Sequence, residues 1–169
     1  MQIRLAADGL TLRPAQKDDR GRLRDILAQP GVARWWGPGT ADHAVDEWLD
    51  PDESVAFVIE VGAAVVGSIE YLEENDPDYR HASIDLFLDE SHQGRAIGPA
   101  AIRVLARYLF EILGHHRLTI DPAVANEHAI RAYERVGFRP VGRMRDYERG
   151  ADGSWHDGLL MDLLVGELR

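Results

Sequence analysis

The stretch Gln93-Gly94-Arg95-Ala96-Ile97-Gly98-Pro99 sets a tight turn of mostly small residues directly before an apolar helical pattern. Such a turn presents several backbone N–H groups in one direction, and the helix dipole adds partial positive charge. Together they suit an anion as large as a pyrophosphate, and small side chains keep the approach open. A second stretch, NEHAIRAYERVGF, runs from Asn126 to Phe138. Asn126 can cap a helix, Ala129 and Ala132 are small, and Tyr133 lies one turn beyond Ala129. By itself that stretch is an amphipathic helix with a buried tyrosine and a glycine stop.

Two carboxylates stand in unusual places. Asp85 lies mid-strand in SIDLFL, with Ser83 and Phe87, on the face opposite Ile84, Leu86 and Leu88. Asp121 ends another strand, and Pro122 holds it extended. An unpaired carboxylate is costly on a buried strand face, so both point to cation binding. Glu70, Glu73, Glu74, Asp76 and Asp157 can add charge at a rim, although solvation explains most loop acids. The seven histidines show no HExxH or other ligand spacing, so no metal is expected.

These residues need a mixed α and β frame. Residues 9–15 alternate as a short strand. Asp18 or Asp19 can cap the helix that follows, and Pro30-Gly31 ends it. Trp35 and Trp36 precede a Gly-Pro-Gly breaker, and a short helix is expected over 41–49. Residues 54–60 and 64–72 form a strand pair, 73–79 an acidic loop and 81–88 a clear strand. A helix follows over about 99–113, with Pro99 in its first turn and Gly114 at its end. Then come strand 117–121, helix 127–136, strand 138–145, a polar loop over 146–156 and strand 159–165. No repeat, linker or low-complexity segment interrupts the order.

Composition narrows the function classes. A chain of 169 residues with 45% hydrophobic and 28% charged residues suits one domain, 1–169. No cysteine is present, which excludes a disulfide framework and a cysteine nucleophile and fits a reducing compartment. The N-terminus lacks a signal-peptide core and no apolar run is long enough to span a bilayer, so a cytoplasmic protein without a membrane partner is expected. Nineteen basic against 29 acidic residues leave a net charge of −10, which disfavours nucleic acid and favours cations.

The two motifs together resemble the GCN5-related N-acetyltransferase (GNAT) family. That family carries a (Q/R)xxGx(G/A) turn before one helix and an NxxAxxxYxxxGF segment on the next. The resemblance runs from Leu10 to Leu164. It implies an α/β (α+β) fold: a mixed, mostly antiparallel sheet of six to seven strands, about four flanking helices and a splayed strand pair for acetyl-CoA. By resemblance, Gln93, Gly94, Arg95, Ala96, Ile97, Gly98 and Pro99 hold the pyrophosphate of acetyl-CoA. Leu86, Phe87 and Leu88 pair with the pantetheine arm, while Asn126 and Ala129 adjoin it. Tyr133 stands near the sulfur, where its hydroxyl assists thiolate departure. Two departures from the pattern are Ala96, where glycine is usual, and Pro99, which lacks an N–H. A right-handed helical conformation would let Ala96 keep its methyl group.

Within that family the chain looks most like aminoglycoside 6′-N-acetyltransferases. Trp35-Trp36-Gly37, SIDLFL, Ile120-Asp121-Pro122 and the DGLLMDLL segment from Asp157 carry this likeness. It implies a small polycationic amine bound by Trp35, Trp36, Glu70, Asp85, Asp121 and Asp157, with Asp121 receiving the amine's proton. The protein is expected to be a monomer or homodimer. Siderophore hydroxamate acetylation, N-terminal acetylation of the ribosomal type and a non-catalytic acetyl-CoA sensor are the other functions such a chain can serve.

Overall fold

The computed structural model describes residues 3–7, 9–37, 39–50, 52 and 54–169. Pro38, in the expected Gly-Pro-Gly breaker, lies outside them. Eight strands form one sheet: β1 (Leu5–Ala7), β2 (Leu10–Pro14), β3 (Val55–Val61), β4 (Ala64–Glu74), β5 (His81–Leu88), β6 (Arg117–Ile120), β7 (Arg139–Arg149) and β8 (Trp155–Leu164). Their order is β1-β2-β3-β4-β5-β6-β8-β7. Every pairing is antiparallel except β5 with β6.

Alternation along the strands sorts side chains onto two faces. On one face, Ile84, Ile69 and Leu118 join Ile102 and Leu105 of α4 (Ile97–Arg107) and Val136 of α5 (Glu127–Val136) in the larger core. On the other, Phe87 and Val58 meet a smaller core. Its helical partners are α1 (Arg20–Leu27), α2 (Pro30–Ala33) and α3 (Ala41–Trp48). Trp48 Nε1 donates to buried Ser68 Oγ at 2.8 Å, and that hydroxyl donates to the Phe57 carbonyl at 2.7 Å. A polar pair inside an apolar layer is thereby satisfied, which avoids a desolvation cost of about 1–3 kcal/mol.

Several expectations need correction. The sheet has eight strands rather than six to seven, because the three-residue β1 extends the edge and was too short to show periodicity. Helix α1 does stop at Leu27, with Gln29 extended before Pro30. Unexpectedly, Pro30 also opens α2 at the first helical position, where its missing N–H costs nothing. The helix expected over 99–113 begins at Ile97 and passes into a π-helical turn at Tyr108–Ile112. The acidic loop starts later than residue 73, since β4 runs to Glu74. The polar loop 146–156 is mostly strand, as β7 continues to Arg149 and β8 starts at Trp155. No helix among the described residues is long and apolar enough to cross a membrane.

Candidate active site

The site lies where β5 and β6 part. Their parallel pairing is confined to Ala82↔Leu118 and Ser83↔Thr119, after which the strands splay. The Asp89 N–H donates to the Val66 carbonyl of β4 at 2.8 Å. Antiparallel alternation therefore turns the backbone groups of Asp85 and Phe87 toward β4 and those of Leu86 and Leu88 toward the opening.

A cleft of about 440 Å³ fills this opening. Leu86, Phe87, Leu88, Gln93, Gly94, Ala96, Ile97, Gly98, Pro99, Asn126, Ala129 and Tyr133 all line it, as do Trp35 and Trp36. Arg95 follows in the same turn without lining the cleft. The expected cofactor residues thus gather along one wall. Arg34, His92, His128 and Arg135 also line the cleft, the two arginines as cations.

The turn has two left-handed residues, Gly94 (φ 73°) and Ala96 (φ 61°). Ala96 is left-handed, so a right-handed helical conformation is not what accommodates its methyl group. It is the N-cap of α4, and its carbonyl accepts the first intrahelical bond from Ala100 N–H at 3.1 Å. Four groups at a helix start lack intrahelical acceptors. Pro99 has no N–H, so three remain for an anion: Ala96, Ile97 and Gly98. Gly98 is buried, and a Cβ there would lie 3.4 Å from Leu88 and 3.7 Å from Leu86 side-chain atoms. Asn126 caps α5 by accepting from Ala129 N–H at 3.2 Å, which leaves its amide NH₂ as a donor at the cleft wall.

Carboxylates gather near Tyr133. Asp85 faces Glu70 across the β4–β5 ladder. Its carboxylate accepts from Leu86 N–H at 2.7 Å. Asp85 is exposed to water by area, yet it stands among other acids and many protein atoms. Loss of bulk water, then the charge of Glu70, then those of Asp121 and Glu148 push its pKa up to about 8. The open side moderates this effect, and the upward direction stands. Glu70 itself accepts from Ser54 Oγ at 2.6 Å.

Asp121 is held extended beyond β6. Pro122 O accepts from Leu159 N–H at 2.9 Å, and Ala123 bridges to Gly158. Burial raises the Asp121 pKa, opposed by a hydrogen bond from the Tyr147 hydroxyl. Tyr133 is partly buried against Phe138, with ring centroids 6.3 Å apart. Its hydroxyl pKa is raised by burial and then by Asp85 and Asp121, so it remains a proton donor at neutral pH. Burial and the charge of Asp121 also raise Glu148.

Tyr147 and Glu148 were not singled out in the sequence, where they fell in an apparent loop. A β-bulge between Met144 and Glu148 re-aims the strand toward Asp121. Asp157 shapes that bulge: it accepts from Asp146 N–H at 2.8 Å and pairs with the Arg143 guanidinium. Those bonds hold the Asp157 pKa below its ordinary value. Trp36 packs edge-on against Trp48 at 5.3 Å and Phe87 at 5.6 Å, and Arg34 lies 4.6 Å above the Trp35 ring. Trp36 and Glu70 also border a larger cavity of about 760 Å³ beside α3. Of the other acids, Glu73 bonds buried His115 at 2.7 Å and Glu74 accepts from Asp76 N–H at 2.9 Å.

Residues 9–139 match the family model described as "Acetyltransferase (GNAT) domain". The chain is 30% identical over 171 residues to a Bacillus subtilis (strain 168) protein named "Putative ribosomal N-acetyltransferase YdaF", covering 94% of this chain and 92% of that one. It is 29% identical over 157 residues to "Aminoglycoside N(6')-acetyltransferase type 1" of Klebsiella pneumoniae, covering 80% and 76%. Its fold is similar to that of "Mycobacterium smegmatis RimJ in complex with CoA-disulfide", with TM-score 0.82, 25% identity and coverage of 99% and 88%. With the splayed strands, the turn that opens α4 and this match across most of its length, the chain belongs to the GNAT family of N-acetyltransferases.

Proposed function

We propose that this protein is an aminoglycoside 6′-N-acetyltransferase, moving the acetyl group of acetyl-CoA to a primary amine of a polycationic substrate. The observation that carries this reading is the polarity of the site. Helix N–H groups, Arg34 and Arg135 line the cleft and can meet a phosphorylated cofactor, while Glu70, Asp85, Asp121 and Glu148 form one cluster whose Asp85 and Asp121 act on Tyr133, itself a lining residue. Several ammonium groups on a rigid ring system match several carboxylates in one concavity.

Chemistry follows from the same residues. An alkyl ammonium holds its proton near pKa about 10 and a carboxylic acid near about 4, so prior proton abstraction is uphill by about 8 kcal/mol. The neutral fraction of the amine is therefore the nucleophile; Asp121 orients it and takes the proton that its nitrogen sheds as the N–C bond forms. The Tyr133 hydroxyl donates to sulfur as the C–S bond breaks. No covalent enzyme intermediate is needed. A backbone N–H on β5 polarises the thioester carbonyl, an electrostatic contribution that grows away from bulk water.

The test is thiol release from acetyl-CoA with kanamycin-type aminoglycosides, hydroxylysine, spermidine and N-terminal peptides. Aminoglycosides should give the highest kcat/KM. Peptide preference would replace this reading with N-terminal acetylation of the ribosomal type. Asp121→Asn and Tyr133→Phe should each lose at least about tenfold in kcat while keeping acetyl-CoA affinity. Unchanged kcat in both would remove the assigned roles.

A further inference from the structure

The edge of β5 that faces the cleft is capped by the chain itself. Leu86 N–H points into the opening and donates to the carboxylate of its own neighbour, Asp85, at 2.7 Å. Two residues on, the Leu88 carbonyl accepts from Gln93 Nε2 at 3.1 Å. An amide-containing arm laid along this edge, as an added strand would lie, requires the same two groups. It needs an acceptor at Leu86 N–H and a donor at Leu88 O. One N–H supports one strong hydrogen bond, so carboxylate and cofactor carbonyl compete for Leu86.

Resting on the acetyl-CoA reading above, we propose that Asp85 serves two ligands in turn. Its carboxylate occupies Leu86 N–H until acetyl-CoA displaces it, and the displaced carboxylate then becomes the acceptor for the substrate's ammonium. Acetyl-CoA binding thereby prepares the amine site. By linkage, each ligand raises the affinity of the other by the same factor. The amine's specificity residue is also a brake on the cofactor.

The groups facing Asp85 are Glu70 from β4, Asp121 beyond β6, Tyr133 from α5, and Tyr147 and Glu148 from β7. None is a cation, and together with burial they keep the carboxyl protonated up to about pH 8. A neutral carboxyl oxygen is a weaker acceptor than a carboxylate. The block is therefore strongest above that pH.

Calorimetry of acetyl-CoA binding, without amine, tests this at pH 7 and pH 9. Asp85→Ala removes the competing acceptor and should bind acetyl-CoA about three- to tenfold tighter at pH 9 than the unaltered protein, with a smaller gain at pH 7. Asp85→Asn keeps a neutral acceptor and should gain less; it also carries the test should the alanine variant not fold. Glu148→Gln removes one charge from the same cluster without touching Leu86 N–H, and should gain less than Asp85→Ala. Equal gains in Glu148→Gln and Asp85→Ala would mean bulk charge alone and overturn the proposal. Unchanged or weaker binding in folded Asp85 variants would overturn it too. Absence of binding in every protein, the unaltered one included, would instead remove the acetyl-CoA reading on which it stands.

Discussion

Ala96 shows how a single residue can carry a function at a local cost. Its φ of 61° is left-handed, a conformation in which an L side chain crowds the following carbonyl at a cost of roughly 1–2 kcal/mol. Glycine would escape that crowding but lose more chain entropy on folding, by about 0.4–1 kcal/mol. Ala96→Gly should therefore stabilise the fold by about 0.5 kcal/mol in urea titrations. Acetyl-CoA affinity should change by less than about twofold, because the N–H directions at the helix start are unchanged. Destabilisation would mean that the methyl group makes a compensating contact. Sequence gave no access to this torsion. The small residues and Pro99 located the turn, but right- and left-handed forms of Ala96 were equally compatible with the letters.

At the scale of elements, the bulged β7–β8 hairpin positions Asp121 from a distance. The Tyr147 ring reaches it by lying over Gly158, where a Cβ would come within 2.7 Å of Tyr147 Cδ1. Gly158→Ala should push the ring away and break its bond to Asp121. We expect a loss of about tenfold in kcat with acetyl-CoA affinity retained, and Tyr147→Phe should give a similar loss without moving the backbone. Removing a bond that favours the charged form raises the Asp121 pKa, so the acid limb of the Tyr147→Phe rate profile should move to higher pH. An unshifted limb would detach Tyr147 from Asp121. This hairpin marks the limit of what was legible in the sequence. Strand β5 and helices α4 and α5 showed plain apolar periods because each buries one face. The first part of β7 is legible as a strand, but its continuation, Asp146–Arg149, is polar and largely exposed, so Tyr147 and Glu148 read as loop. Asp85 is visible because it interrupts an apolar strand, and Asp121 because it ends one before a proline.

Over the whole molecule, crowded carboxylates invert the usual link between pH and stability. A paired aspartate with a lowered pKa stabilises above its unfolded pKa. Asp85 is raised, from 3.8 to about 8. Between those values the folded state holds a proton that the unfolded state has released, so stability falls as pH rises from about 4 to about 8. Water reaches the group and screens its charge, so the penalty at pH 8.5 is only about 1 kcal/mol. Asp85→Asn should raise Tm there by about 2–4 °C and leave it nearly unchanged at pH 4. Equal effects at both pH values would assign the change to packing. Polycation binding should remove the same penalty and release a proton, seen as a buffer-dependent heat.

Among the described residues, strand β7 also ends the sheet, with β8 as its only sheet neighbour. An outermost strand of 11 residues is long enough to template another chain, a route to aggregation. Four arginines, Arg139, Arg143, Arg145 and Arg149, stand along it in a chain whose net charge is −10. Arg139 pairs with Glu167 and Arg143 with Asp157, so the like charge that two copies would bring together edge to edge comes mainly from Arg145 and Arg149. The same strand that delivers Tyr147 and Glu148 to an acidic pocket therefore carries a repulsive border, so that its unpaired edge does not invite a copy of itself.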